Sequence, residues 1–211
     1  MAIDDLLDEH EQSERVRSWL RNNGAGLIGG VALGLPVILG WQWWQKDQAR
    51  KNEQAHLDYQ AALEGATGND LKKAQAAVAK LSTEGEVYAD LAGLELAKAQ
   101  VQAGERDAAI ATLRGLTPDA SLKPVVDLRL ARLLNDAGKH AEALALLAKS
   151  DDPSSLEARG DALLATGKAK EAQDAYTKAL ATLDVASPQR RLIEIKLVSA
   201  GGTLPKTGGT A

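Results

Sequence analysis

The sequence predicts an all-α chain, a single N-terminal transmembrane helix followed by a soluble array of stacked helical hairpins. Three observations carry this prediction. Gly24 to Trp44 contains no charged residue. Beyond Lys46, apolar residues recur at the spacing of amphipathic helices, and no stretch reads convincingly as a strand. Glycines that punctuate those helices return at a near-regular interval.

The head, residues 1–23, carries Asp4, Asp5, Asp8, Glu9, Glu11 and Glu14 against Arg15, Arg17 and Arg21. Val16, Trp19 and Leu20 share one helical face, so its second half is expected to be a short amphipathic helix entering the membrane. Two readings of the head stand side by side. It is an interfacial lead-in to the anchor, or an acidic arm that docks on a basic surface of a membrane partner.

Residues 24–44 form the expected anchor. A helix of that length spans roughly 30 Å, the hydrocarbon thickness of a bilayer, and lipid offers no partner to an unpaired backbone group. Trp41, Trp43 and Trp44 cluster at its exit, where aromatic rings favour the headgroup layer. Gly24, Gly26 and Gly29 spell a nucleotide-binding G-x-G-x-x-G, but that motif requires a preceding strand, and here a polar helical segment precedes it. A cleavable signal peptide is disfavoured by the long acidic n-region and by a bulky, charged exit without a small-residue cleavage site. Gly26, Gly30 and Gly34 lie four apart on one face, where a second helix could approach closely. Pro36 is expected to disturb the helix just beyond that face. Arg15, Arg17 and Arg21 on one side balance Lys46, Arg50 and Lys51 on the other, so charge alone does not orient the anchor.

Residues 46–199 form the soluble domain. Periodicity predicts helices near 46–64, 70–81, 87–103, 106–115, 123–137, 140–149, 154–166, 169–182 and 188–199. Ser154 and Glu157 have capping-box spacing, and Ser187 precedes Pro188 as an N-cap precedes a first-turn proline. The Gly/Thr-rich tail, 200–211, is expected to be mobile. The net charge of −4 resides mostly in the head, leaving the domain near neutral, without the basic surface that nucleic-acid binding needs. The absence of cysteine excludes disulfides and fits either side of a bacterial inner membrane.

Aligning Gly104, Gly138 and Gly167 exposes the repeat. Five residues on stand Ala109, Ala143 and Ala172; four further stand Leu113, Leu147 and Tyr176. The first interval is the tetratricopeptide period of about 34 residues, and the second is shorter. The third unit adds Gly160 and Ala179 at small positions, while the first hairpin, 46–81, fits the pattern poorly. The domain is therefore expected to be a tetratricopeptide-like α-solenoid, its inner surface lined by the first helix of each hairpin. Counting back from each glycine places Leu94, Lys98 and Val101, then Leu128, Arg132 and Asn135, then Glu157, Asp161 and Leu164 on that groove. Leucine mixed with both charge signs suits an extended or helical peptide.

Catalysis finds no foothold in this sequence. His10, His56 and His140 are scattered, and the metalloprotease, P-loop, nucleophile-elbow and C-x-x-C patterns are all missing. No cofactor or metal is expected. Arg159-Gly160-Asp161 spells an adhesion tripeptide inside an expected helix, where Gly160 is a packing residue.

Several blocks, in order and at matching spacing, carry a family resemblance. They are Asn23-Gly24, Gly34, Gly40-Trp41 and Trp44; Tyr88-Ala89 with Leu94-Glu95-Leu96-Ala97; Leu128-Arg129-Leu130-Ala131-Arg132; and Arg159-Gly160 with Ala162-Leu163-Leu164 and Gly167. Through them the chain resembles the YfgM-like proteins, the tetratricopeptide-type ancillary subunits of the Sec translocon. The resemblance implies a single-pass protein of the bacterial inner membrane, with its N-terminus in the cytoplasm and its repeat domain in the periplasm. It also implies association with the protein-conducting channel and with a membrane-anchored periplasmic chaperone of the prolyl-isomerase type. Two functional classes follow: an adaptor or chaperone that meets secreted polypeptides as they emerge, or a structural scaffold that assembles another envelope complex without touching substrate.

Overall fold

A computed structural model describes the backbone of residues 2–84 and 86–204, and the side chains of 13–82 and 88–204. The described residues form helices α1 (Ala2–Thr67), α2 (Leu71–Glu84), α3 (Glu86–Gln102), α4 (Arg106–Arg114), α5 (Lys123–Asp136), α6 (His140–Leu146), α7 (Pro153–Ala165), α8 (Ala169–Thr182) and α9 (Pro188–Ser199), and contain no strand. They fall into two compact units, Met1–Glu53 and Gln54–Ala211.

The first unit is the leading part of α1. Breaks expected on either side of the anchor are absent, and the helix is continuous across Pro36. Its apolar window has a mean hydropathy of 1.7 and is 0 % buried by protein. Ile28, Leu33 and Val37 each expose more than two thirds of their surface. Such a surface is stable only where something apolar covers it, and by length and composition this helix can cross a bilayer. Trp41 and Trp44 stack obliquely, ring centres 5.2 Å apart. Of the tail, residues 205–211 lie outside the described residues.

The second unit is built on a repeated turn. Gly104, Gly138 and Gly167 adopt φ of +82°, +73° and +79°, the left-handed conformation that glycine enters without steric cost. After each, the next amide donates to the carbonyl five residues back: Glu105 to Gln100, Lys139 to Leu134 and Lys168 to Leu163. That bond ties off the helix end in a Schellman motif. The same bond joins Asp70 to Gly65, with Asn69 at φ +59° in the glycine's place. The first hairpin is thus in register, contrary to expectation. Asparagine hid it, since it is the side chain that best tolerates this conformation after glycine.

With that register, small residues stand seven before each turn: Ala62, Ala97, Ala131 and Gly160 are all buried. Ala74, Ala109, Ala143 and Ala172, five after it, are each 0 % exposed. They let the two helices of a hairpin close on one another. Leu113, Leu147 and Tyr176 fill the seam as expected, each almost fully buried. Three cores result, one among α1, α2 and α3, one spanning α3 to α7, and one joining α7, α8 and α9. Each buried leucine contributes about 2 kcal/mol. The expected capping box at α7 is replaced by another cap. Asp152 accepts from the amides of Ser154 and Ser155 at 3.1 and 3.0 Å, with Pro153 opening the helix. Ser187 stands at the N-cap of α9 as expected, but its side chain makes no capping bond.

Candidate partner-binding groove

The first helices of successive hairpins, α3, α5 and α7, carry all nine groove positions. Seven of them gather around two adjoining recesses. Leu94, Lys98 and Val101 of α3 and Arg132 of α5 line the first, a cavity of about 330 Å³ with almost wholly apolar walls. Its floor includes Ala97 and Leu113, and its rim Arg129. Leu94 is only 5 % exposed, so it belongs to the core as much as to the groove. The second recess is polar. Arg132, Asn135, Glu157 and Asp161 line it together with His140 and Lys196. Arg132 is a wall common to both. Leu128 is half-buried against the main core and Leu164 is exposed; neither lines either recess.

Helical spacing puts these charges on one face without saying which of them pair, and the structure supplies the pairing. Glu157 is buried at 7 % exposure. One carboxylate oxygen accepts from the Arg132 guanidinium at 2.9 Å, and the other from the Lys196 ammonium. Lys196 also donates to Asp161 at 2.6 Å, and Asp161 accepts from the Tyr176 hydroxyl at 2.8 Å. Asn135 donates to the Ala158 carbonyl at 2.8 Å, stitching α5 to α7. The polar recess is therefore a closed network across α5, α7, α8 and α9. Burial works against the Lys196 ammonium, yet its hydrogen bonds to Asp161 and Glu157 prevail and hold its pKa above the usual lysine value. Burial, then the bond to Asp161, pushes the Tyr176 hydroxyl well above the ordinary tyrosine range.

Lys196 was missed because α9 follows the last aligned glycine. A signal existed: Gly201 stands one repeat after Gly167, at φ +84°, with Gly202 donating to Leu197 in the same turn bond. That spacing marks α9 as another first helix, and so as a neighbour of α7.

In the first unit, a Cβ added to Gly26, Gly30 or Gly34 would meet no atom within 4 Å, so this helix face is open. Gly26 and Gly30 lie in a shallow recess with Trp19, Asn23, Leu27 and Val31. Among the described residues, no three acidic or histidine side chains converge as a metal site would require.

Comparison with known proteins places this geometry among relatives. A family model described as a tetratricopeptide repeat-like domain matches residues 17–202. A protein of Escherichia coli (strain K12) named "Ancillary SecYEG translocon subunit" is 32 % identical over 197 residues, 90 % of this chain and 95 % of that protein. A Haemophilus influenzae protein of the same name is 28 % identical, over 67 % of this chain and 71 % of its own length. Among solved structures, nearly identical TPR-like repeats from Podosopora anserina superpose with a TM-score of 0.51 at 20 % identity, covering 72 % of this chain and 84 % of the other. At that identity the likeness concerns the fold alone.

Proposed function

The chain belongs to the tetratricopeptide repeat-like family of YfgM-like ancillary SecYEG translocon subunits, and from that premise we propose that it is a non-enzymatic, membrane-tethered adaptor of the Sec translocon. Its groove, on this reading, holds partner proteins or secreted chains as they emerge. The repeat domain faces the periplasm and the N-terminus the cytoplasm, as the resemblance implies. A membrane-anchored chaperone of the prolyl-isomerase type is the second expected partner.

One observation carries the reading: side chains from two successive repeats, α3 and α5, enclose an apolar recess that opens on the groove face. Secreted chains are still unfolded when they leave a channel, so what they offer is apolar side chains without a core. A groove of modest apolar and polar contacts can hold such a chain and release it. A purely structural scaffold is the second reading. It is favoured over the α7 part of the groove, where Glu157 and Asp161 are already satisfied by Lys196.

The test is purification of the full-length chain in mild detergent, with photo-crosslinkers placed at Lys98, Leu128 and Leu164 during translocation of a secreted protein. Recovery of channel subunits with crosslinks to the translocating chain is the expected result. A fixed set of other envelope proteins without such crosslinks would establish the scaffold instead.

A further inference from the structure

The apolar recess between α3 and α5 has a rim of one charge sign. Lys98, Arg129 and Arg132 all border it, and no acidic residue lines it. Their compensation is unequal. Arg132 is held by buried Glu157 at 2.9 Å and stays where it is. Lys98 is paired with Glu95 one turn back on the same helix at 3.0 Å, a surface pair in which the lysine side chain is 59 % exposed. Such pairs contribute little and exchange readily for another carboxylate. Arg129 is exposed and makes no ion pair among the described residues. A domain near neutral overall thus places three cations around an apolar opening, and among the described residues one of them, Arg129, has no ion-pair partner.

We propose that this recess is a subsite for one aliphatic side chain of a polypeptide segment that carries a carboxylate about one helical turn away, received by Arg129 with Lys98. The assignment rests on the adaptor reading and adds the chemistry of what the groove selects. A volume of about 330 Å³ lies at the small end of ligand sites, suited to a side-chain anchor. Leu94, Ala97 and Leu113, each 5 % exposed or less, form a floor that does not need to rearrange. Arg129, with five donors in a planar fork, matches a carboxylate in two-point geometry. Basic or purely apolar segments lose that contact and are discriminated against by the same charges.

The experiment uses the full-length chain in lipid nanodiscs and a fluorescein-labelled Gly/Ser decapeptide bearing one Leu and, one turn on, two Asp. Fluorescence anisotropy should show saturable binding. Replacing the Leu by Ser, or filling the recess mouth through Val101→Trp at an exposed position, should weaken it about tenfold. Replacing both Asp by Asn should weaken it about fivefold. Arg129→Glu should abolish binding of the acidic peptide and restore binding to one with Lys in place of Asp, a rescue that mere damage to the fold would not produce. Lack of saturable binding by the Leu-Asp peptide, or binding indifferent to Arg129 and to the peptide's acids, overturns the subsite. Crosslinks from Leu128 and Leu164, which lie outside the recess, report on the groove itself. If they persist while the peptide fails, the subsite falls alone; if they vanish as well, both readings fall.

Discussion

Glu157 accepts from two cations at once, and that single side chain shows how far residue-level reading goes. Helical spacing placed it correctly on α7 facing α5, yet spacing alone could not say that Lys196 would reach it from α9. Removing Glu157 leaves Arg132 without its partner and Lys196 with Asp161 alone. Glu157→Ala should therefore lower stability by about 2–3 kcal/mol in urea titration followed by circular dichroism. Lys98→Ala, whose pair is exposed, should stay within about 0.5 kcal/mol. The network also sets an alkaline limit. Lys196 and Tyr176 both hold their protons more tightly when folded, so their contribution is complete below their ordinary values of 10.5 and 10.0. It drains away as pH rises beyond those values. Melting temperature should fall steeply above that range in the wild type, and less steeply in Tyr176→Phe. An equal slope in both would remove Tyr176 from the linkage.

At the scale of elements, the helices beyond the anchor lay close to where periodicity put them, since each buries one stripe and ends at a residue of special backbone conformation. The misreadings share a cause, which is that a local signal was claimed by a different partner. Glu157 has the spacing to close a capping box with Ser154, but tertiary ion pairs hold it, and Asp152 supplies the cap. Asn69 does a glycine's work, so the first hairpin looked irregular. Gly160 completes an adhesion tripeptide by spelling alone, and it is the packing residue that its place in the repeat predicts: a Cβ there would run into the Tyr176 ring. Gly160→Ala should cost about 1–3 kcal/mol through overpacking, whereas Asn69→Gly should change stability by less than about 1 kcal/mol. Urea midpoints of the two variants measure the contrast, and a silent Gly160→Ala would mean that α7 and α8 can separate freely.

For the whole molecule, the anchor was legible from composition and the repeat from interval, because both are collective signals. Orientation was not, since Arg15, Arg17 and Arg21 balance Lys46, Arg50 and Lys51. A reporter fused after Ala211 is expected in the periplasm, and protease added to spheroplasts should digest the repeat domain. Complete protection of an intact anchored chain would reverse that topology. The glycine face makes a second prediction. Gly30→Leu with Gly34→Leu raises hydropathy, so insertion should persist, while a close-packed partner helix would be pushed away. Channel subunits should then be lost from detergent purification. Unchanged recovery would leave Gly26, Gly30 and Gly34 facing lipid only.

The placement of the four tryptophans has an optical consequence. Trp19, Trp41, Trp43 and Trp44 all precede residue 45, whereas Tyr59, Tyr88 and Tyr176 all follow it. Indole emission therefore reports the bilayer-side unit, and phenol absorbance reports the repeats. Denaturing the repeats should leave the emission maximum in place while the tyrosine spectrum shifts. Because residues 45–211 carry no tryptophan, an indole introduced there, as in Val101→Trp, would be the first within the repeats and would report their unfolding without an attached dye.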